Sequence, residues 1–253
     1  MLSELVFTAK LLYYNITYIR KNQFFPSIIM LKKLLSKTID FNSYICSRLL
    51  TEPLVYVVGD SHTTVFKNKK MFIVHHIGPA TMFNLNKKDS STKSNEKLFH
   101  VVNKINPKKD VLMLVFGEID CRIHIYNQYQ KQNKKFTIAE LIDKTILNYG
   151  NVLEKIKSMG IKFYVYGIPA TGSEENSYKY PFYGTPQIRS EICKEFNSRL
   201  KNFCVKNNYA FIDIYPKISD KNGFLLKEFA TDEVHLNTKI VDFVRQELNK
   251  NRP

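Results

Sequence analysis

Ser61 stands in Gly59-Asp60-Ser61-His62, at the end of the apolar run VYVVGDSHTTVF, and an acid and an imidazole, Asp232 and His235, stand three residues apart in ATDEVHLN. A serine hydroxyl is a weak nucleophile until a base takes its proton. An imidazole serves best as that base when a carboxylate fixes its tautomer and stabilises the imidazolium. These residue types are the minimum for acyl transfer through a covalent intermediate. They also have a plainer use, because Asp60 or Ser61 can cap a helix beginning near Thr63, and Asp232 can cap a helical stretch that follows it. His62 adjoins the serine, but only His235 comes with a carboxylate at a spacing that lets the two meet across one turn.

Such groups react only if the fold brings them to one place. From residue 54 onward, short apolar runs alternate with stretches of helical periodicity, the pattern of a parallel sheet covered by helices. Strands are expected at residues 54–58, 71–77, 111–116, 162–167 and 209–214, and helices at 96–105, 137–159, 186–207 and 237–249. Gly160 sits where a left-handed helix end precedes the fourth strand. In an open parallel sheet, ligands bind beyond the carboxyl ends of the strands. Polar residues collect there: Asp60, Ser61 and His62 after the first strand, Gly78 and Thr81 after the second, Glu118, Asp120 and Arg122 after the third. The loop 171–187 follows the fourth strand on the same rim and carries Tyr178, Tyr180, Phe182 and Tyr183. Its length suits a lid or binding loop, and its rings suit stacking on sugar faces or covering an acyl group.

The chain has 253 residues, 44% of them apolar, enough to bury one large core without disulfides or metals as staples. One main domain is expected over residues 53–253, preceded by a helical extension over residues 1–52. The extension is amphipathic but interrupted by Glu4, Lys10 and Asn15, too broken for a span of ~20 apolar residues. It suits packing on the domain, on a partner protein or on a membrane surface. Cys46, Cys121, Cys193 and Cys204 are scattered, with no C-x-x-C pair and no zinc-ligand spacing. A reducing, cytoplasmic location follows, with peripheral membrane attachment as the variant, and no cofactor or metal is expected. Cys121 reads as a small buried filler, and one of His75 and His76 as a core histidine. The formal charge of +15 is dispersed among Asn, Gln and Ser. With no reader motif beside it, it speaks against nucleic acid as a partner.

Four blocks in order carry a resemblance: "GDS" after the first strand, Gly78 after the second, Gly117-Glu118-Ile119-Asp120 after the third, and the late Asp232-x-x-His235. Together they resemble the SGNH or GDSL-like hydrolases, which include esterases, lipases, carbohydrate deacetylases and related acyl transferases. The resemblance implies a flavodoxin-like three-layer α/β/α sandwich with a five-stranded parallel sheet. It implies Ser61 as nucleophile, His235 as general base, Asp232 as its orienting partner, and the Ser61 and Gly78 N–H groups as oxyanion donors. An acylated carbohydrate or other small ester is the substrate it suggests.

One block departs from the family. Its usual Gly-x-Asn-Asp supplies an Asn side chain to the oxyanion, and here Ile119 cannot donate. Loss of such a donor costs on the order of 10²–10³ in turnover. Arg122 and Asn84 are the candidate replacements. Alternatively Glu118, Asp120 and Arg122 bind a charged substrate, or the fold serves as a non-catalytic binding module beside a glycan-synthesis enzyme. A further reading takes Asp60-x-His62 as the opening of a metallophosphoesterase site, although the other blocks of that family are missing.

Overall fold

The computed structural model describes residues 53–250 apart from 176 and 178, so the expected extension over residues 1–52 lies outside the described residues. Five parallel strands, β1 (Val55–Gly59), β2 (Phe72–His76), β3 (Val111–Val115), β4 (Phe163–Tyr166) and β5 (Ala210–Ile212), stand in the order β2-β1-β3-β4-β5. The helices are α1 (Ser94–Val102), α2 (Ile125–Lys131), α3 (Ile138–Ser158), α4 (Pro186–Lys206), α5 (Tyr215–Ile218) and α6 (Ile240–Lys250).

Successive strand residues point to opposite faces, and both faces are apolar. Tyr56, Val58, Leu112 and Leu114 pack with Leu98 of α1, Tyr149 and Leu153 of α3 and Phe196 and Leu200 of α4. Val55, Val57, Met113 and Val115 pack on the other side with Phe66 and with Ile240, Val241 and Val244 of α6. Helices therefore cover both faces of a parallel sheet, the three-layer sandwich expected from the sequence. β1 is buried along its whole length, which is why it reads as a continuous apolar run.

Local chemistry sets most boundaries. Thr137 and Glu140 form a reciprocal capping box at the start of α3, and Gly160, at φ +74°, ends the turn that follows it. Thr185 caps α4 with Pro186 in its first turn. The last helix starts later than the expected residue 237. Asn237 donates from its main chain to the Phe229 carbonyl at 2.7 Å and from its side chain to the Glu228 carbonyl at 2.7 Å, which ties it to the preceding turn. Among the described residues no helix is long and apolar enough to cross a membrane.

The strand order places the site. β1 pairs with β2 on one side and β3 on the other, so the winding reverses at β1, where α/β sheets of this order bind ligands. A Cβ on Gly59 would fall 1.8 Å from the Val115 carbonyl oxygen. Only glycine lets β1 leave the sheet this close to β3, with Asp60 donating its N–H to that same oxygen at 3.2 Å.

Candidate active site

The chain leaves β1 through a 3₁₀ turn, Ser61–Phe66, capped by Asp60. The Asp60 Oδ1 accepts the His62 N–H at 2.9 Å, and Thr63 Oγ1 donates to the Asp60 carbonyl at 2.8 Å. Phe66 is buried against Phe72 and Tyr166 and anchors the far end of the turn. Ser61, at its start, stays half-buried at the sheet edge.

The late segment is folded against it by its own hydrogen bonds. An antiparallel bridge joins Ala230 to Leu236, and Thr231 donates its N–H to the His235 carbonyl at 2.8 Å. Val234 and Leu236 are buried, which turns the intervening His235 toward the rim. Asp232 Oδ1 accepts the N–H groups of Val234 at 2.9 Å and His235 at 2.7 Å. Both carboxylate oxygens lie 3.0 Å from His235 Nδ1. A carboxylate at Nδ1 places the proton there and leaves Nε2 as acceptor, and Nε2 is 2.8 Å from Ser61 Oγ. Hydroxyl, imidazole and carboxylate thus form one hydrogen-bonded series. Asp232 caps this turn and not a helix, since α6 begins only at Ile240. Burial disfavours its charge, but the N–H groups of His235 and Val234 and the imidazole outweigh that and hold its carboxyl at about 2.

The loop after β4 closes over this series. Tyr180 donates its hydroxyl to Asp232 Oδ2 at 3.2 Å, and its ring stands edge-on to the His235 ring at 5.2 Å. Tyr178 lies outside the described residues, and Tyr183 is exposed. Arg122 holds the loop, donating to the Pro181 carbonyl at 2.6 Å and accepting the Tyr183 N–H on its own carbonyl at 3.1 Å. The Phe182 ring lies within reach of the Arg122 and Arg189 guanidinium groups, 5.9 and 4.4 Å away.

The third block is used differently from the sequence expectation. Residues Asp120–His124 form a π-helical turn in which Ile125 donates its N–H to the Asp120 carbonyl. Glu118 and Arg122 are expected as ligand contacts, but they bind each other, Nε to Oε1 at 2.5 Å and Nη2 to Oε2 at 3.2 Å, both side chains largely buried. Committed to Glu118 and Pro181, the Arg122 guanidinium is a loop anchor and not the free donor that Ile119 lacks. Asp120 is fully buried and accepts the N–H groups of Met82 at 2.7 Å and Phe83 at 3.2 Å, so it holds the loop after β2 in place of a ligand. Asn84 sits in that loop, its N–H bonded to Thr81 Oγ1 at 3.2 Å. No hydrogen bond joins it to Ser61 or His235 among the described residues.

Gly78, at φ +98°, lies two residues beyond His76, the last β2 residue paired with β1, as Ser61 lies two residues beyond its partner Gly59. The Ser61 and Gly78 N–H groups have no backbone acceptor among the described residues. Cys121 is buried, and burial pushes its thiol well up, as a filler and not a nucleophile. His75 is half-buried and stacked on Tyr56, and His76 is exposed. Asp60 and His62 face one another, Nδ1 to Oδ1 at 3.1 Å. Among the described residues no three His, Cys, Asp or Glu side chains are grouped so as to hold a metal ion. Two contacts escape the sequence reading: the Tyr180 hydroxyl on Asp232, where only the aromatic ring is singled out, and the bond of His62 to the Val234 carbonyl, since His62 is set aside there for the more distant imidazole.

No family model matches the sequence, and no curated protein does. Solved structures do match. A protein from Bacteroides fragilis assigned as an acylhydrolase superposes with a TM-score of 0.53 at 19% identity, over 79% of this chain and 90% of that one. A GDSL-like lipase from Bacteroides thetaiotaomicron gives 0.51 at 14% identity over 85% and 95% of the two chains. The aryl esterase of M. smegmatis gives 0.52 at 13% identity over 79% and 100%. The chain thus shares the three-layer fold of these GDSL-like lipases and esterases.

Proposed function

We propose that the protein is a serine esterase or O-acyl transferase acting on an acyl ester, with an acylated carbohydrate as the substrate class. The 2.8 Å contact of Ser61 Oγ with His235 Nε2, backed by Asp232, carries this reading. Ser61 attacks the ester carbonyl while His235 takes its proton, and Asp232 stabilises the imidazolium that forms. The tetrahedral oxygen draws on the Ser61 and Gly78 N–H groups. His235 then returns the proton to the leaving alcohol, and water or a sugar hydroxyl releases the acyl group from Ser61. Tyr180 borders the site, and its ring suits a sugar ring or an acyl chain. Similarity of fold to a lipase and an aryl esterase supports ester chemistry.

A fluorophosphonate probe tests this directly. The wild-type chain takes one label, and Ser61→Ala and His235→Ala abolish it. A folded chain that takes no label and shows no product burst with an activated acetyl ester is instead a binding module, the reading that Ile119 and the committed Arg122 favour.

A further inference from the structure

His62 lies beneath the Ser61–His235 contact and takes no part in it. Its Nδ1 is 3.1 Å from Asp60 Oδ1 and its Nε2 is 3.0 Å from the carbonyl oxygen of Val234, the residue before His235. Carboxylate and carbonyl oxygens only accept, and a neutral imidazole carries a single N–H. Both bonds form together only on the doubly protonated ring. Bulk solvent does not compete for either partner, since His62 is 3% exposed. Its ring is also stacked on His235, with centroids 5.2 Å apart and planes at 29°.

We propose that His62 is a positioning residue, held as an imidazolium, that latches the nucleophile turn to the loop carrying the general base. The proposal rests on the reading of Ser61 as nucleophile. The two contacts form neighbouring rungs, Ser61 to His235 and His62 to Val234, so the second fixes the spacing of the first. Asp60 grips the ring from below, and its Oδ1 also accepts the His62 N–H. The charge on His62 balances Asp60 at the end of β1 and faces Glu118 beyond β3, and the His235 ring of the last loop is stacked on it. Asp120 from the third block and Tyr166 from β4 lie near the same carboxylate.

The electrostatics agree with the geometry. Burial opposes the charge, but the hydrogen bond and charge of Asp60, the charge of Glu118 and the Val234 carbonyl outweigh it and raise the imidazole from 6.5 to about 9. Because the value is raised in the folded state, the stability that the charged ring contributes is fully present below pH 6.5 and is lost as pH rises through about 9, where the folded ring itself gives up the proton and the latch with it.

Two measurements on the full chain test this. Long-range ¹H–¹⁵N spectra, with His62 assigned by its loss in His62→Gln, show both ring nitrogens protonated at pH 7.5. A neutral tautomer there overturns the proposal whether or not the chain is an enzyme. The pH profile of fluorophosphonate labelling supplies the second. Wild-type labelling falls above pH about 9, where His62 loses its proton. His62→Gln, which reaches only one of the two acceptors, labels roughly 10–100-fold more slowly, the size of a charge-assisted hydrogen bond, and lacks that alkaline fall. An alkaline fall that survives in His62→Gln overturns the latch. If the variant unfolds, His62 is assigned by elimination from single variants of the other five histidines, and the wild-type spectra still decide the charge. An imidazolium in a wild-type chain that takes no label overturns the nucleophile reading and the positioning role with it, leaving only the ion pair.

Discussion

Met82 donates its main-chain N–H to the Asp120 carboxylate at 2.7 Å, fastening the loop after β2 to the end of β3. Gly78 and its N–H ride on that loop, so the carboxylate fixes one side of the site without touching a ligand. Burial raises Asp120 to about 7, against the pull of the Met82 and Phe83 N–H groups, which favour the charged form. The folded chain therefore binds this proton more tightly than the unfolded one, whose value is 3.8. The stability linked to that proton is fully present below pH 3.8 and is lost as pH rises through about 7. Denaturant unfolding of wild type and Asp120→Asn shows it as a gap that moves against the wild type between these two pH values. A gap constant with pH refutes it.

Asp232 has the opposite sign. Burial pushes its carboxyl up, but the His235 and Val234 N–H groups and the imidazole bring it to about 2, below its usual 3.8. Its contribution to stability is present above pH 3.8 and is lost as pH falls through about 2. Asp232→Asn keeps an oxygen for the main-chain N–H groups but no longer fixes the proton on Nδ1. Fluorophosphonate labelling of Ser61 then slows by about 10³–10⁴, as expected when an orienting carboxylate becomes an amide, while the thermal midpoint changes little. Comparable labelling in the variant would mean that Asp232 only caps its turn.

Tyr180 separates two effects of the covering loop. Tyr180→Phe removes one hydrogen bond to Asp232 and keeps the ring over His235, so labelling slows by a factor of about 3–10, the yield of a bond worth ~1 kcal/mol. Tyr180→Ala also removes the ring, and its loss is larger for esters with an aromatic or sugar group than for a small acetyl ester. Equal losses on all esters would show that the ring contacts no substrate.

Arg122 is buried against Glu118 and tied to Pro181. Arg122→Ala strands the Glu118 carboxylate, at a cost of about 3–5 kcal/mol for a broken buried pair. At ~2–4 °C per kcal/mol for a domain of this size, the thermal midpoint falls by roughly 10 °C. Limited proteolysis then cuts first in the loop 172–184. A midpoint within a degree or so of wild type would show that the pair adds nothing net.

The sheet was legible because β1 and β3 are buried on both faces and read as continuous apolar runs, and because Gly160 and Pro186 mark helix ends by backbone chemistry that depends on nothing remote. Ser61, Asp232 and His235 stood out by residue type and strand-end position, and the fold sets them in one hydrogen-bonded series. The third block was harder to read. Its π-helical turn depends on packing, and the commitment of Arg122 to Glu118 was hinted at only by their i,i+4 spacing. The contact of His62 with its second acceptor, the Val234 carbonyl, could not be read, since it lies 172 positions away.

Ser61 and His235 are separated by 174 positions, with four of the five strands lying between them. During synthesis the serine is therefore made long before the imidazole it meets. On the proposed reading, a nascent or prematurely terminated chain that ends before Asp232 carries an ordinary alcohol at residue 61, however well its first strands have paired. On the same reading, reactivity toward esters arises only when translation has passed His235 and the last loop has closed on the first turn. Covalent labelling of Ser61, on that reading, counts molecules that have been made past His235 and have closed this contact, and a truncation before Asp232 silences the chemistry without altering Ser61.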